Sequence, residues 1–117
     1  MNASNPLKSS GDASIENRRS VPRYPLIATV VLVESASDVR LSGRISEISR
    51  KGCYVDVLNT LPAGTSIQLT ISRDSGTFTT AGKIIYVQEG MGMGIAFTDT
   101  LAAQMAVLDV WIAELVS

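Results

Sequence analysis

Two short segments of the sequence combine residue types that suit the recognition of phosphates and nucleobases. Residues 18–23 read Arg-Arg-Ser-Val-Pro-Arg, which places the guanidinium groups of Arg18, Arg19 and Arg23 close together in the chain. A guanidinium is a planar fork that pairs bidentately with phosphate oxygens and stacks on purine faces. Taken alone, such a cluster is more typical of a solvated surface than of a binding site.

The second segment, residues 47–52, reads Glu-Ile-Ser-Arg-Lys-Gly and begins at the end of a predicted strand. Ser49 supplies a hydroxyl and a backbone N–H, and Gly52 permits a positive φ and a close backbone approach. Arg50 and Lys51 add positive charge beside them. Because Ser-x-x-Gly is common in ordinary turns, this segment indicates a site only in combination with the first.

The charge of the chain is nearly balanced but unevenly distributed. The 117 residues, which predict one domain, carry a net charge of −1, so no overall field draws the protein to nucleic acid or membranes. Residues 1–23 hold four basic and two acidic side chains, so positive charge is concentrated where the N-terminal arm meets the domain. The hydrophobic content of 45% predicts a globular fold.

Several classes of function are excluded by what the sequence lacks. There is no histidine, which excludes Ser-His-Asp and Cys-His catalysis and the common zinc sites that contain histidine. No acidic residues show the spacing of a metal-binding loop. The single Cys53 favours a reducing compartment. Residues 1–20 contain no apolar signal segment, and the longest apolar run, residues 26–33, is too short to span a membrane. We therefore expect a cytoplasmic protein that does not insert into membranes.

The arrangement of apolar residues predicts a flexible tail followed by a mostly β domain. Residues 1–17 are polar and are expected to be flexible, and residues 18–117 form the domain. Six short runs rich in alternating apolar residues, with turn residues between them, favour an antiparallel barrel or sandwich. The predicted strands are residues 26–33, 39–47, 53–58, 66–72, 77–87 and 93–97.

The end of the chain changes to a helical period. Its apolar residues recur three or four positions apart, which predicts an amphipathic helix that packs on the barrel and is capped by Thr98 or Asp99. Cys53 and Trp111 are predicted to pack in the core rather than to react or bind a ligand. The predicted apolar stripe of the helix consists of Leu101, Met105, Leu108, Ile112 and Leu115.

The two basic and serine-containing segments, in this order, resemble the signature of the PilZ family. That signature is Arg-x-x-x-Arg followed by Asp/Asn-x-Ser-x-x-Gly, and it is matched here by Arg19 and Arg23 and then by Ser49 and Gly52. Glu47 stands where the family usually has Asp or Asn. The segment 92–97 also resembles the closing strand of the family. The resemblance implies a six-stranded antiparallel β-barrel with a C-terminal α-helix.

The resemblance further implies a binding site for cyclic diguanylate, a ligand with two phosphates and two guanines, and no cofactor. The carboxylate of Glu47 can accept hydrogen bonds from guanine N1–H and N2–H. Arg18 occupies the family position that is associated with a self-stacked pair of ligands. The residues expected to bind the ligand are Arg18, Arg19, Arg23, Glu47, Ser49, Arg50 and Gly52.

The function expected from this resemblance is that of a receptor, not an enzyme. The ligand would change the conformation of the N-terminal arm, and the ordered arm would signal to an effector protein in trans. An alternative is a PilZ-like adaptor that binds proteins but no nucleotide. A barrel that binds single-stranded nucleic acid is disfavoured, because the chain has only six aromatic residues and a negative net charge.

Overall fold

The computed structural model describes residues 21–74 and 76–116, so that Arg18, Arg19 and the predicted flexible segment 1–17 lie outside the described residues. Within those residues the chain forms six strands followed by one helix. The strands are β1 (Tyr24–Glu34), β2 (Arg40–Ile48), β3 (Gly52–Asp56), β4 (Ser66–Arg73), β5 (Gly76–Gln88) and β6 (Gly92–Thr98), and the helix is α1 (Ala102–Val116).

The strands close into a barrel in the order β1-β2-β3-β6-β5-β4, and every neighbouring pair is antiparallel. The barrel and its C-terminal helix confirm the predicted fold class. The largest differences from the predicted boundaries are two residues, at the start of β1 and at the end of β3. Strand β3 ends early because Val57 leaves the ladder, and its N–H donates to the carbonyl of Met91 instead.

The interior of the barrel is filled by alternate side chains from all six strands, as the period of two predicts. Closure removes the exposed strand edges and encloses a hydrophobic core. Cys53 is buried within it, which confirms its predicted place. The fully buried side chains of the barrel include Leu32, Ile45, Val55, Ile67, Leu69, Phe78, Ile84, Met93 and Ile95.

Three irregularities in the strand pairing lie at the same end of the barrel. The register shifts between Pro25 and Ala28 in β1, between Ile45 and Glu47 in β2, and between Ile84 and Tyr86 in β5. An extra residue in a strand bends it and re-aims the side chains that follow. As a result, strict alternation fails in β2, where Ile45 and Ile48 both point into the core.

Helix α1 packs against β1 and β5 through its buried residues Leu108 and Trp111. The indole ring lies 6.3 Å from the ring of Phe78, so that Trp111 packs as predicted. Among the residues that the structure describes, no helix is both long and apolar enough to cross a membrane.

The predicted start of the helix is wrong. Asp99 adopts a left-handed conformation with φ of 48°, and the helix begins only at Ala102. The carbonyl of Leu101 accepts the first helical hydrogen bonds, so neither Thr98 nor Asp99 is the cap. Leu101 itself is 72% exposed and does not belong to the apolar stripe.

Candidate functional site

A groove of about 300 Å³ lies where the start of β1, the β2–β3 turn and strands β5 and β6 meet. It brings together four of the predicted site residues, which are Arg23, Glu47, Ser49 and Gly52. Its volume is at the lower end of the range for small-molecule sites. A second, more open depression at Arg44 and the β3 end contains none of the predicted residues.

Arg23 and Glu47 form an ion pair inside this groove. Nη1 of Arg23 donates to Oε1 of Glu47 across 2.6 Å, and both side chains keep more than a third of their surface exposed. This hydrogen bond raises the pKa of Arg23, and the phenol of Tyr86 adds to the effect. The bulge in β2 at residues 45–47 accounts for the placement of the carboxylate on the groove side of the strand.

The turn between β2 and β3 is closed by the side chain of Ser49, which is largely buried. Its hydroxyl accepts from the N–H groups of Lys51 and Gly52, both at 3.1 Å, and donates to the carbonyl of Gly52 at 3.2 Å. The backbone N–H of Ser49 donates to the same carbonyl. A hydroxyl has one donor and two acceptor positions, and here all three are used within the turn.

Gly52 is required by a close backbone approach and not by a positive φ, which corrects one of the two predicted reasons for the glycine. It is not among the glycines with positive φ. A Cβ at this position would come within 3.0 Å of the carbonyl oxygen of Ile95 on the neighbouring strand β6. The same turn is also bonded to β6 through Phe97, whose N–H donates to the carbonyl of Lys51.

The two adjacent cations of the turn have different partners. Arg50 pairs with Asp109 of α1, with Nε 2.8 Å from Oδ1 and Nη2 3.3 Å from Oδ2, and it does not line the groove. Lys51 does line the groove. The sequence prediction placed Arg50 among the binding residues, whereas in the structure its guanidinium donates to the carboxylate of Asp109 on the helix.

Two tyrosines that line the groove were missed by the sequence analysis. Tyr54 of β3 and Tyr86 of β5 lie on the outer face of the barrel, with their ring centroids 6.1 Å apart. The phenol of Tyr54 donates to Gln88, and burial raises the pKa of this phenol. The available signal was their position in the strands: Tyr54 alternates with the buried Cys53 and Val55 and must therefore face outward.

Comparison with known proteins identifies the family to which the sequence is similar. The sequence model described as PilZ domain matches residues 17–114. A search of curated protein sequences finds no match.

Solved structures with a similar fold include two PilZ domains and one inhibitor of motility. The PilZ domain with c-di-GMP of YcgR from Escherichia coli has a TM-score of 0.71 at 16% identity, over 84% of this chain and 91% of that one. The PilZ domain of CeSA from a cellulose-synthesizing bacterium has a TM-score of 0.60 at 20% identity, over 76% and 93%. The Bacillus subtilis inhibitor of motility, MotI/DgrA, has a TM-score of 0.69 at 16% identity, and the match spans 83% of this chain but only 50% of that protein. At these identities the likeness establishes the fold.

Proposed function

This chain belongs to the PilZ domain family, and on that premise we propose that it is a receptor for cyclic diguanylate, bound in the groove beside the β2–β3 turn. One observation carries the proposal: Arg23 lines the same groove as Glu47 and the Ser49–Gly52 turn, although it precedes Glu47 by 24 residues in the sequence. The ligand is bound and released unchanged, so the chain acts as a receptor and not as an enzyme. Similar solved structures of YcgR, whose bound ligand is c-di-GMP, support the choice of ligand.

The cationic residues of the groove suit the phosphates of such a ligand. Arg23 projects a fork whose present partner, Glu47, is partly exposed and can therefore be exchanged. Lys51 adds a second positive charge to the same groove. Arg18 and Arg19 precede Val21, which also lines the groove, by three and two residues, so that the covalent chain allows their side chains to reach it.

Glu47 and the turn provide the remaining contacts. When Arg23 exchanges the carboxylate for a phosphate, Glu47 is released to accept from the N–H edge of a guanine. Ser49 and Gly52 act mainly by shaping the turn, because the hydroxyl of Ser49 is occupied by backbone groups. Arg50 contributes its charge from the side of the turn that faces α1.

Binding of the ligand orders the N-terminal arm, and the ordered arm signals to an effector protein in trans, in a cytoplasmic setting. The support for this step is the sequence of the arm, which combines three arginines with proline and a polar tail. Trypsin cleaves after arginine, so ligand-dependent protection of residues 17–23 against trypsin is the expected result. Identical cleavage patterns with and without the ligand would argue against an ordered arm.

A second candidate function is that of an adaptor that binds a protein partner but no nucleotide. The observation in its favour is the Arg23–Glu47 ion pair, because it gives the guanidinium a carboxylate partner without any ligand. Calorimetric titration with cyclic diguanylate separates the two functions, since an adaptor would release no heat.

The decisive experiment is calorimetric titration of cyclic diguanylate into the wild type and an Arg19→Ala/Arg23→Ala variant. Each lost charge-assisted contact costs roughly 1.5–3 kcal/mol, so the variant should lose micromolar binding. An Arg40→Ala/Arg44→Ala variant is the control, because it changes the net charge by the same amount. These two arginines lie on the part of β2 that precedes the bulge, so this variant should retain binding. Equal affinity of the wild type and the Arg19/Arg23 variant would refute the proposed site.

A further inference from the structure

Two glycines of β6 leave room on the outer face of the strand for the rings of the groove tyrosines. Strand β6 lies between β3 and β5, and Gly94 is paired with Tyr54 on one side and with Tyr86 on the other. A Cβ at Gly94 would come within 3.0 Å of three ring carbons of Tyr86. One at Gly92 would come within 3.0 Å of the hydroxyl and one ring carbon of Tyr54, and also of the carbonyl oxygen of Val55. Both rings therefore lie across the backbone of β6.

The result is an aromatic surface on the outer wall of the barrel. Tyr86 remains 42% exposed although its ring covers Gly94. The ring of Tyr54 lies beside that of Tyr86, with an angle of 31° between the two ring planes. The hydroxyl of Tyr54 donates to the side chain of Gln88. Gly92 and Gly94 thus have a structural explanation: a side chain at either position would collide with a tyrosine, and at Gly92 also with the backbone of Val55.

The position of this surface gives it a role in the groove. Tyr86 and Gly94 line the same cavity as Arg23 and Lys51, and the phenol of Tyr86 lies close enough to the Arg23 guanidinium to influence its pKa. A purine stacked on the ring would therefore hold its attached phosphate near cationic groups. Aromatic side chains accept any base by stacking, because every base has a π-face.

We propose that Tyr86, seated on Gly94 and supported by Tyr54, is the stacking surface for one purine base of the bound nucleotide. This inference rests on the proposed function and adds to it a binding residue outside the arginine and serine segments. The competing explanation is that the rings only cover the glycine backbone of β6, as aromatic residues do beside strand glycines.

The test is an NMR titration of the full chain with cyclic diguanylate, combined with calorimetry of Tyr86→Phe and Tyr86→Leu. The wild type should show an upfield shift of a guanine H8 resonance and a nuclear Overhauser effect between H8 and the ring protons of Tyr86. Tyr86→Phe keeps the ring and should bind within about threefold of the wild type. Tyr86→Leu should bind at least about tenfold more weakly, which is the usual scale of one base–aromatic stack.

The outcomes separate this inference from the proposed function. If the wild type binds the ligand without the H8–Tyr86 effect, and Tyr86→Leu binds within twofold of it, the stacking surface is overturned and the receptor function stands. If the wild type does not bind at all, both are overturned. Because the H8 observation is made on the wild type, it holds even if the leucine variant does not fold.

Discussion

Arg23 and Glu47 are joined by a 2.6 Å hydrogen bond between Nη1 and Oε1, so that the residue before β1 is tied to the end of β2 across the groove. The two partners are 36% and 39% exposed. An ion pair with this exposure stabilises a protein by only about 0–1 kcal/mol. An anionic ligand can therefore replace the carboxylate at little cost, which makes Glu47 a competitor for the guanidinium that the ligand needs.

Shortening this side chain should strengthen binding. In Glu47→Asp the carboxylate is withdrawn from Arg23 by one methylene but remains available to a guanine edge. We expect the affinity for cyclic diguanylate, measured by calorimetry, to rise by about two- to fivefold, which corresponds to the small free energy of a partly exposed pair. A lower affinity would mean that the reach of glutamate is needed to hold Arg23 in place.

Removing the hydroxyl of Ser49 should weaken both the fold and the site, although that hydroxyl is not free to contact a ligand. Ser49→Ala leaves the N–H groups of Lys51 and Gly52 without their acceptor in a partly buried turn. The expected loss in the free energy of unfolding is about 1–3 kcal/mol in urea denaturation. Ser46→Ala is the control, because within the described residues the hydroxyl of Ser46 makes one long hydrogen bond, of 3.4 Å, and its loss should cost under about 0.5 kcal/mol.

Adding a methyl group at Gly52 should disrupt the contact between β3 and β6. The Cβ of Gly52→Ala would meet the carbonyl of Ile95, which is backbone and cannot rotate away. We expect a loss of at least about 2 kcal/mol in urea denaturation, together with lost ligand binding. Gly90→Ala provides the comparison: its φ is 75° and its surroundings are open, so that only about 1 kcal/mol of backbone strain is expected. Equal costs at the two positions would contradict the steric explanation.

The buried thiol of Cys53 should make the protein less stable at alkaline pH. Burial raises its pKa, so the folded protein keeps a proton that the unfolded chain loses above the ordinary pKa of 9.0. The contribution to stability is therefore complete below pH 9 and declines as the pH rises further. Between pH 8 and pH 10 the thiol should account for a fall on the order of 1 kcal/mol in the free energy of unfolding.

The measurement is urea denaturation of the wild type and Cys53→Ala at both pH values. The alanine variant is less stable throughout because it leaves a cavity, but its stability should decrease less between pH 8 and pH 10. If the free energy of unfolding decreased equally in the two proteins, the pH dependence would arise from other groups. Tyr54, which is next to Cys53 in the chain, also has a raised pKa.

The barrel could be predicted from the sequence because its cause is local. Residues such as Cys53 and Val55 alternate with exposed neighbours, and burial of one face leaves that period in any strand. The Arg23 and Ser49 segments could be related to one site only through their order and spacing. Their convergence in the groove depends on the closure of the barrel, which the alternation alone does not distinguish from a sandwich and which the resemblance to the PilZ family implies.

The remaining features depend on contacts between distant parts of the chain. Arg50 and Asp109 are 59 residues apart, and no local pattern indicates that they pair. The bulge beside Glu47 and the left-handed conformation of Asp99 arise where a regular element would have continued by propensity alone. The place of Tyr86 in the groove depends on a neighbouring strand that has glycine at the opposite position.

The neighbouring cations Arg50 and Lys51 allow charge to be separated from direct contact. Both carry one positive charge in the same turn, but Arg50 is bound to Asp109 of α1 while Lys51 lines the groove. Because the long-range field of either charge at the ligand is similar, a difference between their alanine variants reports on contact. We expect Lys51→Ala to weaken the binding of cyclic diguanylate by about fivefold or more, and Arg50→Ala by less than about twofold, in calorimetry at 0.15 M salt. If Arg50→Ala is the weaker binder, Arg50 must leave Asp109 on binding, and Asp109→Ala, which frees the guanidinium, should then bind more tightly than the wild type.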